Sequence, residues 1–336
     1  MKGRCMISIS ATTGLPDTIR ASGADPVLVL RAAGIELSAI ADVEGFIPAS
    51  VFAHVLDEAA RATADDFFGL HFGEQFDPKD VGALAYGVLN SPTVAAAIAN
   101  LVRYMRIHNR GAEISFSIKG THAYLRYLLS EVADSRRHHN EYAMAVLCNG
   151  FRILAGSRWT PIEVQFAHSA PASVSPYSKV FGCPVTFGHP CNALVIDNSL
   201  LAMPVKDADT RLLRILEEHL DRILAEIPPN NDLVAAVRKA IAELMGQGKT
   251  GLASVAKELA MSPRTLERRL SEQGLVFKEL LNDTRQRFAV DYLRHGGYRL
   301  AEIAFLIGYS EVSAFNRAFK RWTGSTPLEY RNKTTH

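Results

Sequence analysis

Cysteine is scarce in this 336-residue chain: Cys5, Cys148, Cys183 and Cys191 are all it has, and no two of them form a C-x-x-C pair. That excludes a disulfide-framed secreted module and suits a reducing cytoplasm. The stretch "CPVTFGHPC" (183–191) brings two thiols and His189 together. A zinc site wants a fourth ligand that the sequence does not supply, so free thiols buried on a strand pair are expected. No apolar run is long enough for a signal peptide or a membrane span, and a cytoplasmic protein without a membrane partner is expected. Catalytic signatures are missing as well: there is no G-x-S-x-G, no P-loop, no H-E-x-x-H and no carboxylate pair at a suggestive spacing. No catalytic residue, metal or cofactor is therefore assigned, and the chain is not read as an enzyme.

Net charge is also nearly absent, at +2, but its distribution is uneven. Residues 249–336 carry 15 Lys and Arg against 9 Asp and Glu, while the rest of the chain carries 22 against 26. A mildly acidic body with a basic C-terminal module points to a polyanionic partner for that module. The break between the two is "IPPNND" (227–232), two prolines and three polar turn formers after a helical run. It sets the domains at 1–228 and 229–336.

The first domain reads as α+β, without the regular βαβ alternation of a doubly wound sheet. Helical periodicity covers 50–64 and 91–109, the latter with Ser91 as N-cap and Pro92 at the first helical position. "EISFSI" (113–118) and "AYLRYLL" (123–129) alternate about Gly120 as a hairpin. A helix over 138–156 stops at Gly156, and 162–168 and 192–198 read as strands. "DSRRHHNE" (134–141) concentrates titratable groups where that helix opens, and a solvated or capping role is expected for them. In 209–227, Leu213, Leu216, Leu220, Ile223 and Ile227 follow spacings of three and four. That pattern fits either a short coiled-coil dimer seam or one amphipathic helix packed on its own domain.

Beyond residue 228 all periodicity is helical, and it repeats. "LASVAKELAMS" (252–262) aligns with "LAEIAFLIGYS" (300–310), and "RTLERRL" with "SAFNRAF". Each copy is a short helix, a tight turn ending in a serine N-cap (Ser262, Ser310) and a second helix: a helix-turn-helix written twice. Val255, Ala256, Leu259, Leu266 and Leu270 form one expected core; Ile303, Ala304, Ile307, Phe315 and Phe319 form the other. Arg264, Thr265 and Arg268 are left on the outside of the first recognition helix, and Ser313, Asn316 and Arg317 on the second. Arginine can fork onto guanine and asparagine onto adenine in the major groove. Lys257, Arg269, Lys320 and Arg321 are placed for phosphates, or for nothing more than solvation. Between the copies, 276–296 reads as one helix ending at Gly296 and spanning roughly 27–30 Å. Successive major grooves on one DNA face lie about 34 Å apart, so such a helix can hold two readers on neighbouring turns.

The paired motifs, and "GYSEVSAFNRAFKRWTGSTPLEYR" (308–331) in particular, closely resemble the AraC/XylS family of bacterial transcription regulators. The N-terminal two-thirds, in segments such as "NSPTVAAAIANLVRYMRIHN" (90–109), resembles the ligand-binding domain of one branch of that family. The resemblance implies a cytoplasmic, effector-controlled, sequence-specific regulator, an activator by expectation, often a homodimer through its N-terminal region and acting on RNA polymerase. Two alternatives stand beside it: an enzyme in residues 1–228 fused to a DNA-binding module, and an architectural DNA binder without sequence preference.

One effector expectation comes from "RIHNR", which sets Arg106 and Arg110 four apart, and "DNSLLA" (197–202), which offers Asp197 and Ser199. Two guanidinium groups this close want an anion between them, and an anionic aromatic ligand satisfies both. R-x-x-x-R with D-x-S-x-x-G is similar to the signature by which PilZ domains bind cyclic di-GMP, with Ala202 standing where that signature has glycine. Cyclic di-GMP is thus the effector expected at Arg106, Arg110, Asp197 and Ser199. The alternative is a hydrophobic small molecule in the N-terminal core.

Overall fold

A computed structural model describes residues 5–41, 45–129, 137–189, 191–227, 233–245, 248–272, 275–295 and 298–334. The chain divides into two compact units, Met1–Pro228 and Pro229–His336. Residues 228–232 of the expected boundary segment lie outside the described residues, as do 134–136 and Gly296.

In the first unit, β1 (Met6–Ser8) precedes helices α1 (Leu15–Ala21) and α2 (Pro26–Ala32), and pairs antiparallel with β2 (Phe46–Pro48). Helix α3 (Ala49–Thr63) follows, burying Phe52, Val55, Leu56 and Ala59 at helical spacing. Next come α4 (Phe68–Gln75), a 3₁₀ turn at Pro78–Val81, α5 (Ala83–Leu89) and α6 (Val94–His108). The N-cap of α6 is Thr93, whose hydroxyl accepts from Ala96 N at 3.2 Å, and not Ser91. Thr93 is extended, φ −138° and ψ 162°, because it bridges to Pro204, and a residue held in that pairing cannot open the helix earlier. Ser91 is buried instead, donating to the Gly87 carbonyl and accepting from Asn100.

The hairpin forms as β3 (Ala112–Lys119) and β4 (His122–Leu129), with Gly120 at φ 62°. Helix α7 (Arg137–Ala155), β5 (Glu163–Gln165), α8 (Ser175–Phe181), β6 (Val185–Thr186) and β7 (Asn192–Asp197) complete a five-stranded sheet of order β3-β4-β7-β5-β6. Among the described residues only β5 and β6 pair in parallel. Cys183 and Cys191 are half-buried in the segments before β6 and β7 rather than on a strand pair, and none of the four cysteines forms a disulfide among the described residues.

The start of α7 corrects the expectation of a solvated cluster. Helix α4 crosses α7 so closely that a Cβ on Gly69 would stand 2.2 Å from the His138 carbonyl, and one on Gly73 2.6 Å from that of Tyr142. That contact drives His138, His139, Asn140 and Glu141 inside. Glu141, wholly buried, takes a 2.7 Å ion pair from Arg137 and a hydrogen bond from Tyr177. Burial opposes the Arg137 charge, but the Glu141 carboxylate more than offsets it and holds the guanidinium above its ordinary range.

Helix α9 (Thr210–Glu226), capped by Asp209, closes the unit. Its apolar seam packs inward: Leu213 and Leu220 are buried on α9 itself and Ile227 just beyond it, and Leu220 is so close to α5 that a Cβ on Gly87 would stand 3.1 Å from it. Polar bonds tie α9 to α6. Tyr104 donates to Asp221 at 2.8 Å, Arg103 pairs with the same carboxylate, and Asn100 donates to Glu217 at 3.2 Å. Of the two sequence alternatives, the seam is thus the one packed on its own domain.

The second unit is helical throughout its described residues: α10 (Leu233–Met245), α11 (Leu252–Glu258), α12 (Pro263–Glu272), α13 (Phe277–His295), α14 (Leu300–Leu306), α15 (Val312–Thr323) and α16 (Pro327–Thr334). The two expected cores are one. Val255, Ala256, Leu266 and Leu270 of the first motif and Ile303, Ala304, Ile307, Phe315 and Phe319 of the second share a cluster with α10 and α13. Leu259 is only partly buried at its margin. The turns keep the repeat at the level of backbone: Ala260 and Gly308, 48 apart, both have positive φ, 52° and 77°. Glycine takes that conformation freely, and alanine does not.

Candidate functional site

The candidate reading surface is built by two helices that bury one side and expose the other. On α15, Phe315 and Phe319 are fully buried, while Ser313, Arg317, Lys320 and Arg321 are exposed and Asn316 is half-buried. On α12, Leu266 and Leu270 go inward, Arg264, Arg268 and Arg269 stay out, and Thr265 is half-buried. Ser262 caps α12 as expected of its spacing, accepting from Thr265 N at 3.1 Å, and the two hydroxyls bond each other at 2.8 Å. Thr265 is therefore engaged in the cap and is not a free exposed group.

Ser310 does not cap α15. The N-cap is Glu311, extended at φ −137°, and its carboxylate accepts from the Ser313 hydroxyl at 3.0 Å. Sequence reading missed Glu311 because the repeat aligned the serines. Its acceptor sits at the start of a recognition helix, where a carboxylate can take a hydrogen bond from cytosine. Arg268 has an intrahelical partner, Glu272, whereas Arg264 and Arg317 bond no described residue.

Helix α13 holds the two motifs together. From its middle, Arg285 donates to the Thr250 hydroxyl ahead of the first motif at 2.9 Å and to the Gly308 carbonyl in the turn of the second at 3.0 Å. Its guanidinium also lies 4.6 Å from the Tyr309 ring centroid. One buried-side arginine thus fixes both turns to one rod.

In the first unit the four residues expected to hold cyclic di-GMP do not meet. Arg106 is in the last turn of α6, but the chain leaves the helix at Asn109 in extended form, so Arg110 is off that face. The Arg110 guanidinium lies over Phe46 at 4.3 Å, and its amide bonds Met6. Asp197 and Ser199 bond each other, the Asp197 carboxylate accepting from the Ser199 hydroxyl and amide, which holds it below the usual carboxylate range. Asp197 pairs with His122 at the hairpin-turn end of the sheet, while Arg110 precedes Ala112 at the other end. The strands between them put roughly 20 Å between the pairs at 3.3 Å per residue.

What the unit does contain is a cavity of about 110 Å³ between the 3₁₀ turn, α5, α6 and α7. Val81, Leu84, Ile98, Leu101, Val146 and Phe151 make its apolar walls, and His108, Asn109, Tyr127, His139 and Tyr142 are also among its lining residues. Burial lowers the His108 pKa to about 4. With the folded value below the unfolded one, the stability it contributes is present above pH 6.5 and is lost as the pH falls toward 4, a loss of roughly 3 kcal/mol. Urea titrations should therefore show His108→Leu losing about 2 kcal/mol less than wild type between pH 7 and pH 5. Equal losses in the two proteins would show that His108 is not held neutral.

Two helix-turn-helix motifs on a common core, in one chain with a cavity-bearing α+β unit, define a DNA-binding transcription regulator with a ligand-binding domain. Residues 23–205 match the arabinose-binding domain of AraC transcription regulators, N-terminal, and 255–333 match a helix-turn-helix domain; the chain belongs to the AraC family. It is 29% identical to the HTH-type transcriptional regulator VirS of Mycobacterium tuberculosis over 95% of this chain and 94% of VirS. It is 27% identical to the ornithine utilization regulator of Pseudomonas aeruginosa over 97% and 96%. The crystal structure of the regulator CdpR from P. aeruginosa aligns with 91% of this chain and 96% of its own at a TM-score of 0.44 and 20% identity.

Proposed function

We propose that this protein is an effector-controlled, sequence-specific transcription activator. In this reading it docks α12 and α15 in two neighbouring major grooves, and its effector enters the cavity beside α6. The observation that carries the DNA half is the pair of recognition helices, each with an exposed basic and polar side, tied by Arg285 to one rod. Arg264, Arg268, Ser313, Asn316 and Arg317 are the base readers, with Thr265 steadied by its cap, while Lys320 and Arg321 meet phosphates.

Activation implies contact with RNA polymerase and, by the family resemblance, a homodimer. The inward seam of α9 leaves its outer face for a second copy, where Leu212 and Ile215 are exposed. Cyclic di-GMP would need Arg106, Arg110, Asp197 and Ser199 on one molecule, and their separation favours the apolar cavity as the effector's place.

Selection of bound duplexes from a random pool tests the reading. It should yield sites with two conserved blocks about one helical turn apart, protected on one face over about 20 bp. Recovery of the pool without enrichment would instead mean an architectural binder with no sequence preference.

A further inference from the structure

We infer that the cavity takes a small uncharged molecule with an apolar body and a single hydroxyl group, a phenol or short alcohol, seated with the hydroxyl toward His108. This deepens the proposal of an effector in that cavity, but the ligand class stands or falls separately from any effect on DNA.

Size comes first. A dry apolar cavity of about 150 Å³ holds a benzene molecule, so 110 Å³ suits a ligand of about one ring or a chain of about five to six carbons. Charge comes second. Among the described residues, neither an acidic residue nor a lysine or arginine lines the cavity. A carboxylate or ammonium would leave water and find no counter-ion, which argues against free amino acids and fatty acids. A sugar fails for a related reason: each of its hydroxyls wants a partner, and the walls of Leu84, Ile98, Leu101 and Phe151 offer none.

The polar end settles the rest. Tyr127 and His139 bond each other at 3.2 Å, Asn109 donates to the Tyr127 hydroxyl at 3.5 Å, and its own carbonyl is taken by Gly111 N at 3.0 Å. The Tyr142 hydroxyl is spent on the Ala11 carbonyl. At His108, Nδ1 is buried and has no hydrogen-bond partner. Burial keeps the ring neutral, so Nδ1 is a donor in one tautomer and an acceptor in the other. A hydroxyl can donate or accept and so answers either tautomer, whereas an ether or ketone answers only one.

The test is calorimetry on the full chain with four ligands of matched size or fold relevance: phenol, toluene, benzoate and L-arabinose. Phenol should bind saturably, toluene about tenfold more weakly, and benzoate and arabinose not at all. His108→Leu should bring phenol down to the toluene level without moving toluene, a split that a general loss of packing would not produce. Gly150→Leu is the second variant. Gly150 lines the cavity in mid-α7, and a Cβ there meets no atom within 4 Å. Filling the space should abolish phenol binding while leaving the melting temperature unchanged or higher, since leucine favours helix over glycine. Benzoate binding as tightly as phenol, or phenol failing to bind wild type, overturns the inference. Phenol bound as described with operator affinity unchanged would leave the ligand site standing and remove only its role as effector.

Discussion

Arg317→Ala should weaken binding to the selected operator about 5- to 150-fold, the 1–3 kcal/mol of one forked arginine–guanine contact, and relax specificity in one groove. Arg317 is exposed and bonds no described residue, so alanine removes nothing that holds α15 in place. The melting temperature should stay put, and the whole effect should appear in binding. Arg268→Ala should act in the other groove and cost somewhat less. Arg268 already has Glu272 as an exposed i,i+4 partner, worth about 0.3–0.5 kcal/mol, and that pair must open before the guanidinium can reach a base. Lys320→Ala should behave differently from both. A phosphate contact carries no sequence information, so operator and random DNA should weaken alike and the salt slope should fall by about one. Both arginine variants keeping full discrimination between operator and random DNA would refute the assignment of these helices as readers.

The second unit was the more legible because its signal is carried twice. An offset of 48 aligns Ala260 with Gly308 and Val255 with Ile303, and each pair has the same place in the structure. Repetition also misled: it made Ser310 a cap by analogy with Ser262, although Glu311 starts α15. In the first unit the helix and hairpin periodicities gave the elements but not their contacts. Nothing local to "DSRRHHNE" tells that Gly69 and Gly73, some seventy residues earlier, let α4 press α7 into the core. Thr93 outranked Ser91 as a cap through a bridge to Pro204, which no window of sequence contains. The cavity was the least legible feature. Val81, Leu101, Tyr127 and Phe151 come from four separate elements, and each alone reads as an ordinary core residue. Only their failure to fill the space between them marks the cavity. The R-x-x-x-R pattern shows the reverse error, since a four-residue spacing implies a shared face only while the chain is helical, and α6 ends at His108.

Leu220→Asp should destabilise the first unit by about 3–5 kcal/mol, enough to unfold it under mild denaturant. The leucine is fully buried, and it packs on α5 beside Gly87, which leaves no room for the carboxylate to turn toward water. Paired with it, Ile215→Asp changes a residue that is 63% exposed on the opposite face of the same helix. Its stability should stay within about 0.5 kcal/mol of wild type, as for most surface changes. The two variants separate what α9 does inside the protomer from what it does between protomers. If the outer face joins two copies, Ile215→Asp should sediment as a folded monomer while the urea transition of Leu220→Asp moves to much lower urea. A folded, fully stable Leu220→Asp monomer would reverse the assignment and return the seam to the interface. An Ile215→Asp dimer as tight as wild type would move the contact off α9. Because α6 carries the Asn100, Arg103 and Tyr104 bonds to α9 on one side and lines the cavity with Ile98, Leu101 and Met105 on the other, a bound ligand is one helix away from the face this pair of variants tests.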